Sequence, residues 1–221
     1  MRCRMPGVLV VSLAAALWAG EAVAAVPSAP TGTYQYDIEQ ETYGKIGTHT
    51  ATFEYDGRDL IVSTAVRIEV KLLYLTIYTF VSDGREVWRD GRLVEFETTT
   101  DDNGTRFAVK AWAEGDKFVI EGQEGRVVTD GAMFTTHAWN PAVLGTPVLM
   151  EPTSGKLYKV GISEGGPDEV GVHEETVRAR KYVIEGDIQG GLWYAEDGTW
   201  LKMDFIKYGT HVRIKLSSVT S

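Results

Sequence analysis

Cysteine is almost missing from this chain: Cys3 is the only one among 221 residues. It precedes the apolar run from Val8 to Ala19 instead of closing it, where a lipid-modified cysteine would stand. Arg2 and Arg4 before that run, and the small-residue site Ala22-Val23-Ala24 after it, read as a cleavable signal peptide over residues 1–24. The expected mature chain therefore has no thiol, no disulfide and no lipid anchor, and thiol redox chemistry is excluded. Cutting 24 residues from 221 leaves 197, expected to form a single domain at 25–221 with a core large enough to fold without covalent staples.

Other absences narrow the function further. No second apolar stretch reaches the roughly 18 residues a membrane-spanning helix needs, so no transmembrane segment is expected in the mature chain. A surplus of basic residues is also lacking: 22 Lys and Arg stand against 31 Asp and Glu, a net charge of −9. Removing Arg2, Arg4 and Glu21 with the signal peptide makes these 20 and 30, a net of −10. The cations are scattered singly among acids, which argues against nucleic acid as a partner. No Gly-x-Ser-x-Gly elbow, Ser-x-x-Lys or mature cysteine offers a nucleophile, so no catalytic residue is assigned. His49, His137, His173 and His211 are far apart and form no metal-binding spacing; neither metal nor cofactor is expected.

What the chain does contain is alternation. Tyr34, Tyr36 and Ile38 fall on one face and Gln35, Asp37 and Glu39 on the other, the period of a half-buried strand. The pattern returns at His49–Tyr55, Leu60–Val70, Leu201–Phe205 and Val212–Leu216. Asp56-Gly57, Asp83-Gly84, Asp90-Gly91, Asn103-Gly104, Asp130-Gly131 and Asp197-Gly198 read as tight turns. Gly165-Gly166-Pro167 and Gly190-Gly191 read as turns or bulges. Helical periodicity is confined to a turn or two between Thr136 and Leu144. The expected fold is all-β: an antiparallel meander of roughly ten to thirteen strands, forming a strongly curved sheet or an open or closed barrel. A two-layer sandwich is the alternative.

Three places could carry recognition. Leu72 to Val81 is apolar on both faces, with Leu73, Leu75 and Ile77 on one and Tyr74 and Tyr78 on the other. It is expected either to be a central strand covered on both sides or to line a hydrophobic cavity or meet a membrane or partner. His137, Trp139 and Asn140, in the least regular segment, combine a titratable ring, a large amphipathic ring and an amide. The plainer reading makes Trp139 a plug of the core and Asn140 a backbone cap before Pro141. Trp193-Tyr194 and Trp200 bracket the Glu196-Asp197-Gly198 turn, either as cross-strand packing or as a stacking platform for sugar.

The run Trp88-Arg89-Asp90-Gly91-Arg92-Leu93, the Trp139-Asn140 loop, and Gly186-Asp187-Ile188 through Trp193-Tyr194 and Asp197-Gly198 to Phe205 resemble an uncharacterised family of exported bacterial proteins, domain of unknown function 6134. The resemblance spans nearly the whole mature chain and assigns no functional residue. A looser, architectural likeness is to exported β proteins whose curved sheets carry lipids or lipoproteins between bacterial membranes. Together these lead to an expected periplasmic or secreted binding protein for an apolar or amphiphilic ligand such as a lipid. Leu73, Tyr74, Leu75, Ile77, Tyr78, His137, Trp139, Asn140 and Trp193 are its candidate contacts. The alternatives are a non-catalytic interaction module of the cell envelope and a hydrolase working through His137 with a nearby carboxylate.

Overall fold

A computed structural model of the chain describes residues 30–207 and 209–220; the predicted signal peptide lies outside them. The alternating segments become fourteen antiparallel strands of one sheet. The first eight run β1 (Gly32–Gln40), β2 (Gly44–Asp56), β3 (Asp59–Leu72), β4 (Leu75–Arg89), β5 (Arg92–Asp102), β6 (Thr105–Glu114), β7 (Lys117–Gly122) and β8 (Gly125–Asp130). A connection over residues 131–147, holding a 3-10 helix at Pro141–Gly145, leads to β9 (Val148–Met150). Then follow β10 (Leu157–Val172), β11 (Glu175–Gly186), β12 (Gly190–Ala195), β13 (Trp200–Lys207) and β14 (Thr210–Thr220). The count exceeds the expected range because a three-residue strand such as β9 is too short to show alternation.

The spatial order is β8 to β1, then β14 down to β9, so every neighbour is also a sequence neighbour except the β1–β14 pair. Tyr36 faces Leu216 and Ile38 faces Ile214 across that pair. Curvature brings the two ends of the sheet towards each other: the Gln123 amide, in the β7–β8 turn, donates to the Ser154 carbonyl of the β9–β10 loop at 2.9 Å, while Thr135 of the connection forms a parallel bridge with Met150 of β9.

The concave face is packed, not hollow. Ala51, Phe53, Leu60, Val62, Trp88, Phe96, Phe118 and Ile120 from β2–β7 close on Met133, Trp139 and Met150 of the connection and β9. Val160, Ile184, Leu192, Tyr194, Trp200 and Met203 close on Ala138, Val143 and Leu149 from the other side. The connection is thus threaded through the curve of the sheet, and the β9–β10 loop that follows it is fastened where Thr98 Oγ1 donates to the Pro152 carbonyl at 2.5 Å.

Several expected turns fall elsewhere. Asp83-Gly84 lies in the middle of β4, opposite Ala65 and Thr64. Gly84 is needed there because a Cβ would stand 2.6 Å from Thr64 Oγ1 and 2.9 Å from Thr98 Cγ2. Asp130-Gly131 ends β8 and opens the long connection, and Gly190-Gly191 lies within β12, where Gly190 faces the Asp204 backbone. Gly165-Gly166-Pro167 is the bulge of β10, as expected.

Candidate functional site

The row of side chains crossing the concave face through Phe53, Val62, Phe96, Ala111 and Ile120 is apolar except at one place, Glu86 of β4. Glu86 is wholly buried, and four side chains converge on its carboxylate. Trp88 Nε1 donates to Oε2 at 2.7 Å and Trp139 Nε1 to the same oxygen at 3.0 Å. Thr135 Oγ1 donates to Oε1 at 3.1 Å, and His137 Nδ1 lies 3.0 Å from Oε1. Burial pushes this carboxyl up, but the hydrogen bonds from His137, Trp139 and Trp88 and the His137 charge outweigh it and hold Glu86 below the usual range. A carboxylate only accepts, so Nδ1 of His137 carries the proton in that contact.

Behind His137 lies His49 of β2, ring centroids 5.2 Å apart, itself against Tyr36 and Trp200. Burial, and next the neighbouring His137, lower the His49 pKa to about 3, so His49 is neutral at pH 7. The four acceptor positions of Glu86 are filled, three of them by the 135–139 segment. The cluster is therefore an anchor tying the threaded connection to β4. A void of only ≈ 10 Å³ adjoins it, bounded by Trp88, Trp139, Asn140 and Val143. Asn140 caps the 3-10 helix, its Oδ1 accepting from the Ala142 amide at 3.0 Å, and Trp139 is buried, as the plainer reading of that segment has it.

Trp193, Tyr194 and Trp200 are all buried, which rules out the sugar platform. Tyr194 Oη donates to the Ala138 carbonyl at 2.7 Å. Trp193 Nε1 donates to Asp168 at 2.7 Å, and the Lys202 ammonium covers its ring 3.6 Å from the centroid. That hydrogen bond, more than any other influence, lowers the Asp168 pKa.

Beside these rings, between the 3-10 helix and β10–β12, an open cleft of ≈ 880 Å³ forms. Its wall is Pro141, Leu144, Pro167, Tyr182 and Tyr194, and its rim carries Glu169, Arg178, Arg180 and Glu196. Arg180 pairs with Glu164, whereas among the described residues Arg178 makes no ion pair.

Leu73, Tyr74, Leu75, Ile77 and Tyr78 do not meet this cleft. They occupy the β3–β4 hairpin at the opposite rim, and the expectation that Leu72–Val81 is covered on both faces is corrected there. Leu73 is 83% exposed, Tyr74 100% and Leu75 71%. The ladder from β2 stops at Ile68 and that from β5 at Phe80, where the Asn103 amide still donates to the Thr79 carbonyl at 2.8 Å, so beyond these points the β3–β4 ladder continues through the tip without a neighbouring strand on either side. Leu73 and Tyr74 turn with φ of 47° and 72°, a conformation that costs a non-glycine residue roughly 1–2 kcal/mol. Asn-Gly would make this turn with no such strain.

Sequence reasoning missed Glu86. Its signal was present: in the inward register Ser82, Gly84, Glu86, Trp88, an acid stands at a position that should be apolar. Among the described residues no group of three His, Cys, Asp or Glu is placed to hold a metal, and no helix is long and apolar enough to cross a membrane.

No curated protein matches the chain. Among solved structures it is similar to a β-barrel-like protein of the domain of unknown function DUF1849 from Brucella abortus, with 12% identity, 88% of this chain and 100% of that chain covered, and a TM-score of 0.57. That likeness is one of fold. Residues 36–217, from Tyr36 in β1 to Ser217 in β14, match the domain of unknown function DUF6134, and the chain belongs to that family.

Proposed function

We propose that this is an exported, non-catalytic binding protein for an amphiphilic small molecule, and that the ligand lies in the cleft between the 3-10 helix and β10–β12. The cleft itself carries the reading. Its ≈ 880 Å³ falls within the roughly 300–1,000 Å³ of small-molecule sites, and it joins an apolar wall to a few polar groups at the mouth of a curved sheet. Both signs of charge on the rim, Arg178 with Glu169 and Glu196, suit a zwitterionic or neutral polar head. The apolar part lies along Leu144, Pro141 and Tyr182.

The packed interior supports an open seat over an engulfing one. A buried acyl chain of about twelve methylenes gains roughly 10 kcal/mol, and a chain half covered about half of that. Association costs roughly 4–15 kcal/mol, so the ligand exchanges readily instead of copurifying at full occupancy. The hydrolase reading has little to stand on, since Glu86 is saturated by donors and the void beside it has no room for a substrate.

Titration with lysophosphatidylcholine below its micelle concentration tests this, followed by isothermal calorimetry. Saturable binding of one molecule per chain is expected, abolished by Leu144→Asp at a temperature where thermal unfolding shows that variant to be fully folded. Failure to saturate, or binding indifferent to Leu144→Asp, would refute the proposal.

A further inference from the structure

We infer that the projecting β3–β4 hairpin is a membrane-docking finger, whose tip Leu72-Leu73-Tyr74-Leu75 inserts into the interface of a bilayer with neutral headgroups. Two independent costs meet at this tip. Four large apolar side chains are given to water, and the two at the apex hold a left-handed backbone that glycine or asparagine would adopt freely. Neither serves the packing of the chain itself, because the tip has lost its neighbours in the sheet on both sides.

Shape and charge select the occupant. The surface is a convex ribbon end, not a flat face, and its apex residue is a tyrosine, a ring suited to the boundary between headgroups and acyl chains. Tyr43 and Ile206, both exposed, extend the apolar character along the same rim, where the ends of β1 and β13 lie. Beneath the tip the polar groups are already matched: Lys71 pairs with Glu69 at 2.7 Å, and Thr76 donates to the same carboxylate at 2.9 Å. The adjoining β5–β6 turn adds Asp101 and Asp102 against Arg106. No excess of cations faces the surface, so attraction to anionic lipid is absent and insertion rests on apolar burial.

Flotation of the full protein with phosphatidylcholine vesicles, with and without phosphatidylglycerol, tests the inference. The variant is L73N/Y74G, which installs an unstrained turn and so folds at least as well as the parent. The parent is expected to float with pure phosphatidylcholine, with little change on raising salt. The double variant is expected to partition on the order of a hundredfold more weakly while melting no lower. Leu144→Asp, in the cleft at the other rim, is expected to float like the parent. No flotation with neutral vesicles, capture that requires phosphatidylglycerol and is erased by salt, or equal flotation of the double variant would each overturn it. So would a parent that forms dimers dispersed by L73N/Y74G, since the tip would then serve a second copy.

Discussion

The buried histidine behind the Glu86 anchor makes stability depend on pH in a way that can be calculated. His49 in the fold has a pKa of about 3, against about 6.5 unfolded. Between those values the unfolded chain binds a proton that the folded chain refuses. Stability therefore rises with pH through this window, and is lost as pH falls from 6.5 towards 3. The slope for one such group is about 1.4 kcal/mol per pH unit, or about 2 kcal/mol between pH 6.5 and 5. Glu86 adds nothing over that interval: its folded pKa is depressed, so its contribution is lost only below the unfolded carboxylate value near 4.5. The perturbation is His49→Phe, which keeps a flat ring against Tyr36 and Trp200 but cannot titrate. Urea unfolding at pH 7, 6.5, 6, 5.5 and 5, followed by tryptophan emission, should show parent stability falling by about 2 kcal/mol below pH 6.5. The variant's curve should be flatter by that amount whatever its absolute stability. A variant with the parent's slope, or a parent with no slope above pH 5, would show that His49 takes up its proton in the fold, and the reasoning would fail.

Further perturbations report on other parts of the structure. Glu86→Gln places an amide among four donors and should cost about 2–4 kcal/mol by urea unfolding, with amide exchange rising first over residues 133–140. Gly190→Ala drives a Cβ to 2.0 Å from the Asp204 carbonyl oxygen, so the β12–β13 ladder must part. The expected sign is a loss of at least about 2 kcal/mol, read by thermal unfolding. Gly84→Ala meets side chains instead of backbone, and combining it with Thr64→Ala, which removes the Thr64 hydroxyl, and Thr98→Ser, which frees the space of Thr98 Cγ2, should recover part of its loss in a double- or triple-mutant comparison. Trp139→Phe removes one donor to Glu86 while keeping most of the packing against Phe53 and Trp88; a loss of about 1–2 kcal/mol is expected, and none would show that donor to be dispensable.

The repeating part of the fold was readable because period-two alternation is local. Tyr36, Ile38, Phe53 and Val62 announce their face from their own neighbours, and all four are buried in the structure. The anchor was not readable in the same way. Glu86 and His137 are 51 positions apart and His49 and His137 are 88 apart, and only closure of the sheet around the connection brings them together. Turn chemistry misled in both directions. Asp83-Gly84 has the look of a hairpin, but its glycine answers a steric demand from Thr64 and Thr98. The real hairpin at Leu73-Tyr74 carries none of the residues that favour one. The cleft was invisible for another reason: Pro141 and Leu144 reach Tyr182 and Tyr194 only through the course of the connection, which alternation does not specify.

The β1–β14 pairing bears on how the chain reaches its final form during synthesis. Strands β1–β8 and β9–β14 each add to a neighbour already made, so two separate meanders can grow with short loop closures. The edge of β1 away from β2, however, stays without a partner until β14 has emerged, because β14 supplies its whole ladder. A chain not yet extended through β14 therefore presents an unpaired row of amides and carbonyls along β1, the kind of edge that recruits other strands. A chaperone that shields β1 until β14 arrives, or a delay in folding until β14 has been made, would meet the same need.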